Sequence, residues 1–211
     1  MATDDLDNTL ILMNRVSFES DYNNGTLPEI LARLVAENNV KTSGYGSDPY
    51  TESAKAKIRQ AIGMPEAEVY FLIGGTQTNQ TVIDALLLGC EGVIAAESAH
   101  INVHESGAIE AYGHKVLVIP SEGSKLTAEG IDRYMSAFLA DETYPHMVLP
   151  RMVYITMPTE LGMLYTRKEI EDILSVCRRY DLLLYADGAR LSYGLTSSQS
   201  DVTLPWLAQH V

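Results

Sequence analysis

Three stretches of this 211-residue chain hold residues whose types and spacing could do chemistry. The first is Gly74-Gly75-Thr76-Gln77-Thr78-Asn79, directly after the apolar run Val69–Ile73. Two glycines let the backbone turn tightly and approach a ligand, and Thr76 adds a hydroxyl. The first-turn N–H groups of a helix starting there would make an anion site. A tight strand-to-helix turn capped by threonine uses the same letters, and no Gly-Lys-Ser/Thr follows to make a Walker loop. The second stretch is Asp187-Gly188-Ala189-Arg190, at the end of an apolar run from Leu182. A carboxylate at such a poorly solvated place needs a cationic or hydrogen-bonding partner. Arg190 could be that partner. Alternatively, Asp187 faces a protonated ring nitrogen and leaves Arg190 to grip a carboxylate with its planar fork. The third stretch runs from Ser98 to Glu105. His100 and His104, four residues apart, could hold a metal if Glu105 or Asp187 added a ligand. Capping or partly buried histidines explain the same pair, as does a His100 lying flat on an aromatic ring. Tyr45, between Gly44 and Gly46, belongs to a loop free to cover a pocket.

The elements that must position these groups alternate. Val69–Ile73, Val93–Ala96, Val116–Ile119, Met152–Ile155 and Leu182–Tyr185 are short, continuous apolar runs, the pattern of strands covered on both faces. Helical periodicity marks 77–88, 100–111, 127–140 and 167–180 between them. Thr166 followed by Glu169 fits a capping box opening the last of these. Two further helices are expected at 27–38 and 50–62. Strand and helix in alternation predict an α/β fold with a mostly parallel sheet, and such sheets bind ligands just past the C-terminal ends of their strands. Residues 1–65 read as an N-terminal segment of interface helices and a loop, and 66–211 as the ligand-binding domain.

Composition narrows the function classes. The formal net charge is -13, which argues against nucleic acid or an anionic membrane as partner, since Lys and Arg must supply the counter-charge to phosphates. At 46% hydrophobic and 20% charged the chain can bury a core. No apolar run nears the roughly 20 residues of a membrane span. The acidic start, Met1 to Asp7, is unlike a signal peptide, and Cys90 and Cys177 are too few and too far apart for a disulfide framework. A cytoplasmic location is expected.

Taken in order, the Gly-Gly-Thr-Gln-x-Asn turn, Ser98-Ala99-His100-Ile101 and Asp187-Gly188-Ala189-Arg190-Leu191 resemble the threonine aldolase / aromatic amino acid β-eliminating lyase family. These are pyridoxal-phosphate enzymes of the aspartate-aminotransferase fold. Phe18-Glu19-Ser20-Asp21, Tyr45–Pro49 and Pro158–Gly162 extend the likeness from about Ser17 to the chain's end. The resemblance implies a three-layer α/β fold, the large domain of that class, here without its small C-terminal domain. It implies that Gly75, Thr76 and Gln77 hold the cofactor phosphate, that His100 stacks on the ring and assists proton transfer, and that Asp187 pairs with the ring nitrogen. Ser20 and Arg190 would grip the substrate carboxylate, and Tyr45 would reach the neighbouring site of a homodimer or tetramer. The implied activity is cleavage of L-threonine or L-allo-threonine to glycine and an aldehyde, with no metal. β-Elimination from another amino acid, or a non-catalytic remnant serving dimerisation, are the alternatives within the fold. A dinucleotide-binding module lacks its third glycine here, and a metal-dependent aldolase is the remaining rival. One departure stands out. The family's Schiff-base lysine follows the Asp-Gly-Ala-Arg strand, whereas the six lysines of this chain (Lys41, Lys55, Lys57, Lys115, Lys125 and Lys168) all precede Asp187. The chain is therefore expected to be a fragment that does not turn over alone.

Overall fold

A computed structural model describes residues 19–211, so Phe18 and the acidic start of the chain lie outside the described residues. The described residues form two compact units, one ending at Asp48 and the other Pro49–Val211. In the first unit α1 (Pro28–Glu37) buries none of its residues. Leu27, Ile30, Leu31 and Leu34 recur at helical spacing and leave an exposed apolar stripe.

The second unit begins with α2 (Pro49–Ile62), which packs against the last helix, α9 (Leu204–Ala208). Between them run α3 (Gly75–Leu86), β1 (Glu91–Ala96), α4 (His100–Val103), α5 (Ala108–Ala111), β2 (Lys115–Ile119) and α6 (Ala128–Ala140). After these come β3 (Leu149–Thr156), α7 (Arg167–Tyr180), β4 (Leu183–Asp187) and α8 (Leu191–Thr196). The four strands form one parallel sheet in the order β2-β1-β3-β4. Every residue of central β1 is buried. Because successive strand side chains point to opposite faces, helices must cover both faces, and the expected layered α/β architecture is what forms.

Local chemistry explains the element ends. Thr127 caps α6 by accepting from the Gly130 N–H. At α7 the expected capping box is complete: Thr166 Oγ1 accepts from the Glu169 N–H and Glu169 Oε2 from the Thr166 N–H, at 3.2 and 2.7 Å. Ile170, Ile173, Leu174 and Cys177 then face the core at i, i+3, i+4 and i+7. Gly92 is required by close approach: a Cβ there would sit 2.7 Å from the Lys115 carbonyl oxygen and 2.8 Å from Val148.

Two expectations are corrected. Val69–Ile73 is not a strand, and Ile73 is 95% exposed. No strand among the described residues pairs with it, and an apolar run without a ladder partner has nowhere to place its backbone hydrogen bonds. The helix expected over 100–111 is instead two short helices, α4 and α5, broken where Ser106 and Gly107 enter the left-handed region at φ 54° and 71°. β4 is also less covered than its apolar sequence implies, because it lies at the sheet edge.

Candidate active site

The parallel register of β3 and β4 sets Tyr154 beside Tyr185 and Thr156 beside Asp187. With a period of two, all four side chains share one face at the C-terminal end of the sheet. Asp187 Oδ2 accepts from the Tyr154 hydroxyl at 2.7 Å and from Asn79 Nδ2 at 3.1 Å, while Oδ1 accepts from the Ala189 N–H at 2.9 Å. Asn79, on α3 and 2% exposed, is the hub of a wider network. Its Nδ2 also donates to Glu105 Oε1 at 2.7 Å, and its Oδ1 accepts from the Tyr185 hydroxyl at 2.7 Å. Burial, then the Asp187 charge, pushes the Tyr154 phenol far up; burial, then the charges of Asp187 and Glu105, does the same to Tyr185. Both phenols therefore stay protonated and donate.

Glu105 also meets His100 Nδ1 at 2.7 Å; its side chain is fully buried while that of His100 is 44% exposed. Glu160 Oε1 accepts from the His100 N–H and the Thr156 hydroxyl, both at 2.8 Å, which ties the start of α4 to the end of β3. Gly75, Asn79, His100, Glu105, Asp187 and Arg190 line a common cleft of about 80 Å³. At its edge α3 begins. Space is open where a Cβ would stand at Gly74 and Gly75, and the first-turn N–H groups have no intrahelical acceptor.

The structure thus brings together Gly75, His100, Asp187 and Arg190. Thr76, half-buried, continues from Gly75 into the first turn of α3, whereas the Gln77 side chain accepts from the Ile73 N–H at 3.1 Å. Ser20 and Tyr45 belong to the first unit. There the Tyr22 N–H points to Ser20 Oγ at 3.4 Å, and Tyr45 is fully exposed at φ 60°. None of the five lysines of the second unit lines the cleft. Lys125 instead holds the Leu164 carbonyl and Glu169, and Lys168 pairs with Asp172 on the surface. His104 stands with its ring centroid 5.5 Å from that of His100. Among the described residues no group of three His, Cys, Asp or Glu is placed to hold a metal, and no helix is long and apolar enough to cross a membrane. Sequence reasoning missed Asn79, Tyr154, Tyr185, Glu160 and the role of Glu105. The signal for the tyrosines lay in the alternation Tyr154-x-Thr156 and Tyr185-x-Asp187, polar groups at period two inside otherwise apolar strands.

A parallel α/β sheet with a carboxylate at a strand end, a glycine-opened helix N-terminus and an imidazole over the same cleft defines a large domain of the pyridoxal-phosphate transferase class. A solved archaeal alanine:glyoxylate aminotransferase shares this fold at 18% identity, with a TM-score of 0.65 over 85% of this chain and 44% of that one. Residues 17–203 match the β-eliminating lyase family, and the chain belongs to it. A low specificity L-threonine aldolase from Pseudomonas sp. is 36% identical over 177 residues, which are 83% of this chain and 50% of the relative. The structure of a threonine aldolase from Leishmania major superposes with a TM-score of 0.86 at 40% identity, covering 91% of this chain and 55% of that one. The chain spans about half the length of the curated relatives it matches.

Proposed function

We propose that this chain supplies the coenzyme-binding half of a pyridoxal-phosphate lyase that cleaves β-hydroxy amino acids, L-threonine or L-allo-threonine, to glycine and an aldehyde. The carrying observation is the Asp187 carboxylate, held by Tyr154, Asn79 and the Ala189 N–H at the floor of the cleft that His100 borders. An acceptor so fixed suits a protonated ring nitrogen. The N–H groups at the start of α3, beside Gly75 and Thr76, suit a phosphate, and the open space at Gly75 lets one approach the backbone. When bound, the coenzyme supplies an electron-poor ring that drains charge from the bonds at the substrate α-carbon. Around it, Arg190 grips the substrate carboxylate. His100 takes the β-hydroxyl proton, a task suited to an imidazole near neutral pH. The exposed stripe of α1 favours a homo-oligomer, and the free thiols Cys90 and Cys177 fit a reducing, cytoplasmic compartment.

Titrating the protein with pyridoxal phosphate tests the reading. Saturable one-to-one binding, seen in the coenzyme's absorbance and circular dichroism, is expected. It should be reversible on dialysis, because the cleft presents no lysine from this chain. Absence of saturable binding overturns the proposal. With L-threonine in the holoprotein, glycine and acetaldehyde mark aldol cleavage, whereas ammonia and a keto acid mark β-elimination.

A further inference from the structure

The hydrogen-bond chain that ends at His100 has a direction, and that direction fixes where the imidazole carries its proton. It starts at Tyr185, whose half-buried phenol donates to Asn79 Oδ1. That bond turns the Asn79 amide so that its NH₂ faces the two carboxylates, and Nδ2 donates to Glu105 Oε1 at 2.7 Å and Asp187 Oδ2 at 3.1 Å. Glu105 Oε1 is thereby an acceptor. The other atom in contact with it, His100 Nδ1 at 2.7 Å, must then be a donor. We propose that Glu105 is a positioning residue that holds the His100 proton on Nδ1, so that Nε2 is the proton-accepting atom of the cleft. Its side chain is fully buried, and Oε2 has no partner, so Oε1 bears the whole task of compensating the carboxylate.

The inference rests on the reading of His100 as the group that takes the substrate hydroxyl proton. An imidazole protonated at Nε2 would have its lone pair turned toward Glu105 and could not serve. Other charged groups face the same ring. Glu160 holds the His100 backbone N–H, His104 lies alongside just past the end of α4, Asp187 is reached through Asn79, and Arg190 lines the same cleft. None of them contacts Nδ1 in the described residues, so the choice of nitrogen falls to Glu105.

Long-range nitrogen-15 NMR of the histidine rings, at about pH 8.5 where a free imidazole is neutral, reads the tautomer directly. The protein has five histidines, and His100→Asn assigns the signal. For the wild-type protein the expected result is one tautomer, with a protonated Nδ1 and a pyridine-like Nε2. Glu105→Leu removes the acceptor and should shift the signal to the Nε2–H form or an averaged mixture. Glu105→Gln keeps an oxygen for Nδ1 and Asn79 and should preserve the wild-type signature, which a purely steric role for Glu105 does not predict. An Nε2–H signature in the wild-type protein overturns the inference even if no variant folds, and so does an unchanged tautomer in Glu105→Leu. No coenzyme is needed for the measurement. Failure of pyridoxal phosphate to bind would therefore remove the functional reading alone, and a wrong tautomer would remove the inference alone.

Discussion

Asn79→Ala is the substitution that most directly tests whether the polar network holds the site. The amide is 2% exposed and makes three hydrogen bonds, two of them to carboxylates. Hydrogen bonds to charged groups contribute roughly 1.5–3 kcal/mol and neutral ones about 1. The bond to fully buried Glu105 belongs near the middle of the first range. That to Asp187 falls lower, because Asp187 keeps Tyr154 and the Ala189 N–H. The half-buried Tyr185 hydroxyl can turn to water, so its loss is the smallest. Together these give about 4 kcal/mol, a large share of the 5–15 kcal/mol by which domains are ordinarily stable. With a urea dependence of about 2 kcal/mol per molar, the unfolding midpoint should fall by about 2 M at unchanged slope. Asn79→Asp sharpens the test. A third carboxylate facing Glu105 and Asp187 should destabilise more than alanine at pH 7, and the gap should close as the pH falls toward about 4, where carboxylates protonate. A midpoint shift under about 0.5 M for Asn79→Ala, or an Asn79→Asp protein as stable as the wild type at pH 7, would refute the network as the element that holds the carboxylates.

Other changes probe other links. Gly92→Ala puts a methyl 2.7 Å from a carbonyl oxygen that cannot swing aside, so a loss near the top of the ~1–3 kcal/mol overpacking range is expected in urea unfolding; a neutral result would mean the β1–β2 spacing yields. Burial raises the Glu169 carboxyl, but hydrogen bonds from Lys125 and Thr166 outweigh it and hold the group below the usual carboxylate range. A lowered folded value stabilises above the unfolded value of roughly 4.3 and is lost as the pH falls through the folded value. Lys125→Met should therefore lower Tm at pH 6 and differ little from the wild type near pH 3; a constant difference would contradict the assignment. Asp187→Asn should bind inorganic phosphate as the wild type does while losing at least tenfold in pyridoxal phosphate affinity, measured by absorbance titration, the equivalent of about 1.4 kcal/mol. Equal affinities would remove the ring-nitrogen role.

Much of the scaffold could be read from local pattern because local chemistry decides it. The apolar runs at 93–96, 116–119, 152–155 and 182–185 all lie in or overlap observed strands, and α7 starts where its capping box stands. Gly75, His100, Asp187 and Arg190 were legible because loops past parallel strands are where ligands bind, and three of the four follow such strands or the turn into α3. The failures share a cause. Val69–Ile73 has the composition of a strand, but strand formation needs a neighbour to complete the ladder, and composition says nothing of the neighbour. The bonds joining Asn79 to Glu105 and Asp187 span 26 and 108 residues, so no window along the chain contains both ends. Glu105 had looked like a possible metal ligand; its fully buried side chain, with one imidazole and one amide on the same oxygen, makes it the anchor of His100 instead.

The charges of the cleft limit what it can bind. Glu105, Glu160 and Asp187 all line it, with Arg190 on its border and the N-terminus of α3 at one edge. A simple anion placed centrally would face three carboxylates, whereas a simple cation would ignore the free N–H groups at Gly75 and Thr76. A ligand matched to both is dipolar: anionic where α3 begins and protonated at the ring atom that meets Asp187. The donors already on Asp187 (a phenol, an amide and a backbone N–H) are all uncharged, so none of them competes with that atom as a counter-ion. Glu105 is different. Its side chain is fully buried and its Oε1 is engaged by His100 and Asn79, which is why two carboxylates bridged by one asparagine can have separate tasks: Asp187 sets the charge of the ligand, and Glu105 sets the proton of the imidazole.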